Sequence, residues 1–172
     1  GDLNSNAQTR AIRFLKEWDH IESVDSEATL VFHSICNEII KNIYYDELSL
    51  LGEHYFKTFV SLKYITKRCL RSILKGKPNS WVDDIRTKNK KETIEEIIQR
   101  STKSGVEMVV SKYGPNWSNW KWGEAHSLTH KHILGRNKIL NYLFNFNIGP
   151  FLSGGSDVTP NAGGYSLDNG FY

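Results

Sequence analysis

Apolar residues recur at helical spacing through most of residues 1–113. The spacing i, i+3, i+4, i+7 of a single helix face first appears at Ala11, Phe14, Leu15 and Trp18. The wider apolar stripe over residues 28–43 indicates a helix that is buried on more than one side. The pattern predicts four helices and one short helical turn, over residues 5–18, 26–44, 46–51 (the turn), 53–75 and 94–113.

Glycine, proline and capping residues mark where these helices begin and end. Thr93 followed by Glu96 matches a capping box at the start of the fourth helix. The sequences GKP at residues 76–78 and GP at residues 114–115 end the third and fourth helices, because glycine accepts the left-handed cap and proline cannot continue a helix. Four helices with short links predict a helical subdomain over residues 1–113.

The pattern changes after Pro115. Helical periodicity disappears, and glycine and proline become frequent. Residues 124–132 are predicted to form an extended strand, which places on one face His126, Leu128, His130 and His132. Residues 138–144 fit either a short helix or a buried strand. The chain is therefore predicted to be α+β and mainly α, with the helical subdomain followed by a strand- and loop-rich segment over residues 114–172.

Charge and composition exclude several classes of partner. The 172 residues carry 22 basic and 19 acidic side chains of mixed sign, for a net charge of +3, so the chain predicts no nucleic-acid partner. No run of 18 apolar residues is present, which predicts no membrane partner, and no targeting segment is visible in residues 1–25. Cys36 and Cys69 lie outside any CxxC motif and are predicted to be free thiols, with a single disulfide as the alternative.

The histidines of the predicted strand form the one cluster that resembles a metal site. His126, His130 and His132 would present their imidazoles to the same side, and zinc needs three or four such ligands. However, Glu124 and Asp157 are the only carboxylates nearby in sequence. We therefore favour hydrogen-bonded or solvent-facing histidines, and no metal ligand is predicted.

Two other motifs carry possible chemistry. Residues 154–156 (GGS) lack the GxSxG spacing of a nucleophile elbow and are not followed by the lysine of a phosphate-binding loop, so Ser156 is not predicted to be a nucleophile. Trp117, Trp120 and Trp122 surround Lys121, an arrangement that occurs in base-stacking surfaces. With so small a net charge, core aromatics that join helix to strand are the favoured interpretation.

A succession of short blocks over residues 113–162 resembles the large chain of the penicillin acylase (penicillin amidase) family of N-terminal nucleophile hydrolases. The helical part resembles that family more loosely, at residues 11–19 and 26–32. Six blocks in a fixed order are hard to obtain by chance. They are Tyr113-Gly114, Trp120 to Leu128 (WKWGEAHSL), His132 to Gly135 (HILG), Asn147 to Phe151 (NIGPF), Gly154-Gly155, and Thr159 with Asn161 and Ala162.

This resemblance implies amide hydrolysis by a precursor that cleaves itself. The new N-terminal serine of the large chain would be the nucleophile, and its own α-amino group would be the base, since a free amine with a pKa near ~8 accepts a proton near neutral pH. Backbone N–H groups and an asparagine would form the oxyanion hole. The substrates would be linear N-acyl amides, such as β-lactam side chains or acyl-homoserine lactones. A calcium ion often supports the fold in this family.

The family pattern also implies what this chain lacks. The nucleophile, the oxyanion asparagine and the calcium ligands of the family precede the part that is matched here, and this chain begins with Gly1-Asp2-Leu3. We therefore expect a central-to-late fragment of the large chain, an incomplete piece of the αββα fold that is inactive alone and carries neither catalytic nor metal residues. Its partner would be the remainder of the enzyme, in the periplasm or secreted. A free-standing helical interaction module is the alternative.

Five residues are predicted to contact substrate in the intact enzyme: Trp122, His126, Gly154, Gly155 and Asn161. They are polar or small residues within an otherwise apolar segment, as the lining of an acyl pocket would be. The alternative is that they fix the junction between the helices and the sheet.

Overall fold

The computed structural model describes residues 3–76, 80–156 and 159. Over this part of the chain the protein is mainly helical with a small two-stranded sheet, as predicted. The regular elements are α1 Leu3–Glu17, α2 Glu27–Leu51, α3 Glu53–Ser61, α4 Lys63–Leu74, α5 Ile94–Tyr113, α6 Trp122–Ala125, β1 Ser127–His130, α7 Lys138–Phe144 and β2 Ile148–Leu152.

Helix α2 is the centre of the hydrophobic core. It packs against α1, α3 and α5, and its buried residues lie on more than one side, as its wide apolar stripe predicted. The core around it is made of aliphatic and aromatic side chains, among them Ala11, Leu30, Val31, Ile43, Ile97, Val106, Val109, Trp120 and Trp122. Burying such side chains is the main favourable term in folding.

The backbones of α2 and α5 approach closely where Gly105 faces Ile35. A Cβ atom added to Gly105 would lie 3.0 Å from both the Cα and the backbone nitrogen of Ile35. At the same contact, the buried hydroxyl of the neighbouring Ser34 donates a hydrogen bond of 2.8 Å to the Gly105 carbonyl. Only glycine allows this approach, because the atoms it faces belong to a helix backbone that cannot move aside.

Two predicted helix boundaries are wrong. Helix α2 does not end at Tyr44 but continues to Leu51, since Tyr44 and Asp46 are themselves buried on its inner side and no helix-breaking residue precedes Gly52. The predicted helix over residues 53–75 is divided at Leu62 into α3 and α4. At this break the Phe59 carbonyl accepts from the Leu62 N–H (3.1 Å) and also from the Thr66 hydroxyl (2.6 Å), so a side chain of α4 is hydrogen-bonded to the last turn of α3.

The fourth predicted helix is confirmed as α5, with its capping box at Thr93 and Glu96. The segment over residues 138–144, for which helix and strand were both open, is the helix α7. Strands β1 and β2 form an antiparallel pair, with Ser127 opposite Leu152 and an irregularity between Leu128 and His130. Among the described residues no helix combines the length and the apolar character needed to cross a membrane.

The loop that joins α1 to α2 is held by residues from the far end of the chain. The Gly123 N–H donates to the Val24 carbonyl (2.8 Å), the Gly155 N–H donates to the Glu22 carbonyl (2.7 Å), and Lys121 forms an ion pair with Asp25 (2.8 Å). These contacts cross the predicted boundary at residue 113, which itself stays a prediction.

Candidate functional site

Trp122 is at the centre of a buried cluster that we name the Trp122 junction, formed with Glu22, His33, His126 and residues 153–155. The indole is fully buried, and its Nε1 donates a hydrogen bond of 2.7 Å to the Gly155 carbonyl. The imidazoles of His33 and His126 both stack on it, with ring centroids 4.5 Å and 5.0 Å away and planes 16° and 8° from parallel. Three stacked aromatic rings thus join helix α2 to the α6–β1 corner, and the hydrogen bond from Trp122 adds the segment after β2.

His126 lies at the corner between α6 and β1. Its Nδ1 is 2.9 Å from the Ser153 carbonyl, and because a carbonyl only accepts, Nδ1 carries the hydrogen. The backbone of the same two residues is also paired, since the Ser153 N–H donates to the His126 carbonyl (2.8 Å). His126 Nε2 is buried and has no hydrogen-bond partner among the described residues. The side chain therefore fastens the end of β2 to the corner before β1.

Gly154 and Gly155 let the strand end approach the α1–α2 loop. A Cβ atom on Gly154 would lie 2.8 Å from the Glu22 carbonyl oxygen, so any other residue would push the two segments apart. Gly155 is bound at both of its backbone groups, as donor to Glu22 and as acceptor from Trp122. The α1–α2 loop therefore packs directly against the backbone of these two glycines.

Glu22 and His33 belong to the junction, although neither was among the residues predicted to form a site. His33 Nε2 lies 2.8 Å from Glu22 Oε1, and both side chains are nearly buried. They are 11 positions apart, one in a polar connection and the other inside a helix, so neither spacing nor composition pairs them. The one sequence feature that could have pointed to His33 is its position as a polar residue on the apolar stripe of α2.

The structure brings together four of the five residues that were predicted to contact substrate: Trp122, His126, Gly154 and Gly155. Asn161 lies outside the described residues. The contacts that the four make here are with other parts of this chain, in the manner of the junction alternative. Their contact with substrate stays a prediction.

The predicted strand over residues 124–132 is wrong in its extent. Its first residues belong to the helical turn α6, because the His126 N–H bonds to the Trp122 carbonyl (2.8 Å), and the strand itself ends at His130. His132 lies beyond it and accepts a hydrogen bond from the Leu134 N–H at Nδ1 (3.2 Å). Among the described residues no group of three or more His, Cys, Asp or Glu side chains is placed to hold a metal ion.

The three tryptophans differ in their environment. Trp120 and Trp122 are fully buried, which confirms the core interpretation for both, and Trp120 Nε1 donates to the Gly114 carbonyl (2.9 Å). Trp117 is 46% exposed, so the core interpretation is wrong for it. Its ring instead lies 4.2 Å from the Arg10 guanidinium, a cation–π contact that ties residue 117 to α1.

Both cysteines are free thiols, as predicted. Burial raises the pKa of Cys36 to about 11, so this thiol stays protonated at neutral pH and is a poor nucleophile.

A second titratable cluster lies at the C-terminal end of α2. Asp46 Oδ2 accepts from the Ile85 N–H (2.9 Å), while both oxygens of Asp84 accept from the Arg86 guanidinium (2.8 and 2.7 Å). Hydrogen bonds from Arg86 hold the pKa of Asp84 below its usual value. Glu92 accepts from the Asp84 N–H (3.0 Å), which lowers its pKa as well. These carboxylates fix the loop after residue 80 to the helix end.

The same carboxylates do not fit a calcium ion, the metal that the family resemblance associates with the intact enzyme. Calcium takes six to eight oxygen ligands. Here Asp46 Oδ2, Glu92 Oε2 and both oxygens of Asp84 are already engaged by backbone N–H groups and by Arg86. No metal role is assigned to this cluster.

Glu47, beside Asp46, makes the stability of the chain depend on pH. Burial, followed by a hydrogen bond with Asp46, raises the pKa of Glu47 to about 8 from 4.5. Between these values the folded chain holds a proton that the unfolded chain releases, so the free energy of unfolding falls as pH rises from about 4.5 through 8. We expect Glu47→Gln to leave stability unchanged at pH 4 and to raise the urea midpoint at pH 9.

Urea denaturation at both pH values measures this effect. Glu124→Gln, which removes an exposed carboxylate, is the control and should behave like the wild type at either pH. An equal urea midpoint for wild type and Glu47→Gln at pH 9 would contradict the raised pKa.

Comparison with known proteins places the chain in a family. The family model described as penicillin amidase matches residues 2–172, which is nearly the whole sequence. No curated protein and no solved structure matches the chain. The matched range includes every residue of the Trp122 junction as well as the helices that support it. The chain therefore belongs to the penicillin amidase family.

Proposed function

We propose that this chain is part of an amidohydrolase that cleaves linear amide bonds of N-acyl compounds, such as β-lactam side chains or acyl-homoserine lactones. The observation that supports the proposal is the family match over residues 2–172. In this proposal an N-terminal serine of the large chain attacks the amide carbonyl, and its α-amino group accepts the hydroxyl proton. That serine, and any calcium site, belong to other residues of a periplasmic or secreted enzyme.

The role proposed for the described residues is to support the active site. The hydroxyl of Ser156 is buried, and no described residue is its hydrogen-bond partner, so no base is in place to activate it. Trp122 and His126 are fully buried and engaged in stacking and hydrogen bonds. Rigid groups of this kind are what a catalytic site needs behind the residues that touch substrate.

Amide hydrolysis by the complete product of the gene that encodes this chain tests the proposal. We expect amine release from an aromatic N-acyl amide or from a fatty acyl-homoserine lactone, and no release by this chain alone. A folded complete product that hydrolyses neither substrate would overturn the proposed activity. Hydrolysis by the isolated chain would overturn the proposal that the nucleophile belongs to other residues.

A variant at His126 separates substrate contact from support. If His126 touches substrate in the complete enzyme, His126→Ala raises KM while the melting temperature stays the same. If it acts only through the Ser153 carbonyl and the Trp122 ring, the melting temperature falls. Asn161→Ala provides the same comparison for the predicted residue outside the described part. Unchanged turnover and unchanged folding in both variants would contradict both roles.

A further inference from the structure

The segment over residues 133–152 exposes a large amount of apolar surface. Here we name it the hairpin surface. It consists of Ile133, the 3-10 turn Leu134–Arg136, α7 and β2. Its exposed large hydrophobic side chains are Ile133, Leu134, Ile139, Tyr142, Leu143, Phe144, Ile148, Phe151 and Leu152. A protein that functions alone rarely exposes an apolar patch of more than a few hundred Å².

Helix α7 has well-formed ends but no buried residue. Asn137 Oδ1 accepts from the Ile139 and Leu140 N–H groups (3.0 and 3.2 Å), and Asn145 ends the helix in the left-handed conformation. Yet Tyr142 is 88% exposed, and the apolar residues beside it are largely exposed as well. A helix of seven residues derives its stability from packing of its apolar face, so we expect another surface to cover α7.

The hairpin surface is a single unit, because Asn147 ties its parts together. The Asn147 side chain accepts from the His132 N–H (2.9 Å) and donates to the Gly135 carbonyl (3.1 Å). Its backbone N–H donates to the Asn141 side chain on α7 (2.8 Å). All five residues of β2, which begins directly after Asn147, are exposed. The apolar groups of α7 and β2 are thus held in a fixed relation to one another.

The charge of this region has one sign. From residue 125 to residue 156 the charged side chains are Lys131, Arg136 and Lys138, and the sequence contains no Asp or Glu there. A complementary surface would combine an apolar face with carboxylates at its rim.

Two other occupants fit these observations less well. A second copy of the chain, paired through the same surface, would bring Arg136 and Lys138 against their own equivalents, and the sequence from residue 133 to residue 152 contains no Asp or Glu. An anionic membrane is typically bound by clusters of four to eight Lys and Arg residues, and this surface has two, Arg136 and Lys138.

We infer that the hairpin surface is a docking site for a polypeptide surface that is apolar at its centre and carries carboxylates at its rim. The inference rests on the proposed function, since the polypeptide it fits is the remainder of the amidohydrolase. Ile139, Tyr142 and Leu143 enter the apolar centre, and Arg136 and Lys138 face the carboxylates.

Hydrogen exchange on the complete gene product and on this chain alone tests the inference without reference to activity. We expect the amides of residues 139–144 to exchange about 100-fold more slowly in the complete product than in the isolated chain. The double variant Tyr142→Ser/Leu143→Ser should remove this protection. Leu50→Ser, which changes an exposed apolar residue at the end of α2, is the control and should not.

Charge reversal tests the carboxylate rim. Arg136→Glu/Lys138→Glu should also reduce the protection of α7 in the complete product, and by a larger factor at low salt than at high salt. An equal loss of protection at low and at high salt would contradict the proposal that carboxylates lie at the rim.

Three outcomes would overturn the docking site. They are equal exchange of α7 in both samples, concentration-dependent dimerisation that Tyr142→Ser/Leu143→Ser abolishes, and co-sedimentation with phosphatidylserine vesicles. A complete product that protects α7 but hydrolyses no amide would support the interface while the proposed function fails. The two proposals therefore fail separately.

Discussion

Replacing Trp122 with alanine is expected to lower the free energy of unfolding by about 4 kcal/mol, the middle of the range for removing a fully buried tryptophan. The loss has three sources: the cavity, the stacking with His33 and His126, and the hydrogen bond to the Gly155 carbonyl. That carbonyl would be left without the indole donor, which adds to the cost. Urea denaturation of the isolated chain measures the change.

Trp117→Ala is the matched control for this experiment. It removes the same side chain from the same short segment, but Trp117 is about half exposed, and its cation–π contact with Arg10 contributes about 1 kcal/mol or less. An equal loss in the two variants would show that the Trp122 junction does not hold the chain together. A loss of stability confined to Trp122→Ala would identify the Trp122 junction as the point where the helices are joined to strands β1 and β2.

Gly105→Val is expected to cost about 3 kcal/mol. The new side chain would press on the Cα and backbone nitrogen of Ile35, which are already at 3.0 Å from the position of a Cβ atom. Overpacking of this kind costs about 1–3 kcal/mol, and separation of the helices also weakens the hydrogen bond from Ser34 to the Gly105 carbonyl. The value is therefore placed at the upper end of that range.

Lys103→Val is the control, since it introduces the same β-branched residue into the same helix at an exposed position. Its cost is limited to helix propensity, about 0.5 kcal/mol. Thermal and urea denaturation of both variants distinguish the cost of overpacking from the cost of helix propensity. A Gly105→Val protein as stable as Lys103→Val would mean that α2 and α5 are not in close contact.

The helices of this fold were predictable because each carries its own local signals. The capping box at Thr93 and Glu96 and the glycine at residue 114 set the limits of α5, and both were visible in the sequence. The break at Leu62 was not predictable, because no glycine or proline marks it. The Thr66 hydroxyl, which bonds to the Phe59 carbonyl across the break, lies in the following helix. A break that depends on a side chain several residues away has no local signature.

The site was predictable in its parts but not in its assembly. Trp122, His126 and the glycines at 154 and 155 stood out in the sequence, and they do lie together. Glu22 and His33 complete the junction through tertiary contacts, which periodicity does not encode. The strand assigned to residues 124–132 failed for a related reason: the apolar–polar alternation was correct for β1 alone, while packing of the Trp122 ring favours a helical turn before it.

The contact of the α1–α2 loop with the far end of the chain also sets the order in which the protein can be made. Lys121 and Asp25 are separated by 96 positions, and the partner of Glu22 lies further along still, at Gly155. During synthesis α1 and α2 leave the ribosome long before these partners exist, so the carbonyls of the loop between them are at first hydrogen-bonded to water. Completion of the fold is therefore expected to follow translation of residue 155, and contacts of such length favour slow folding.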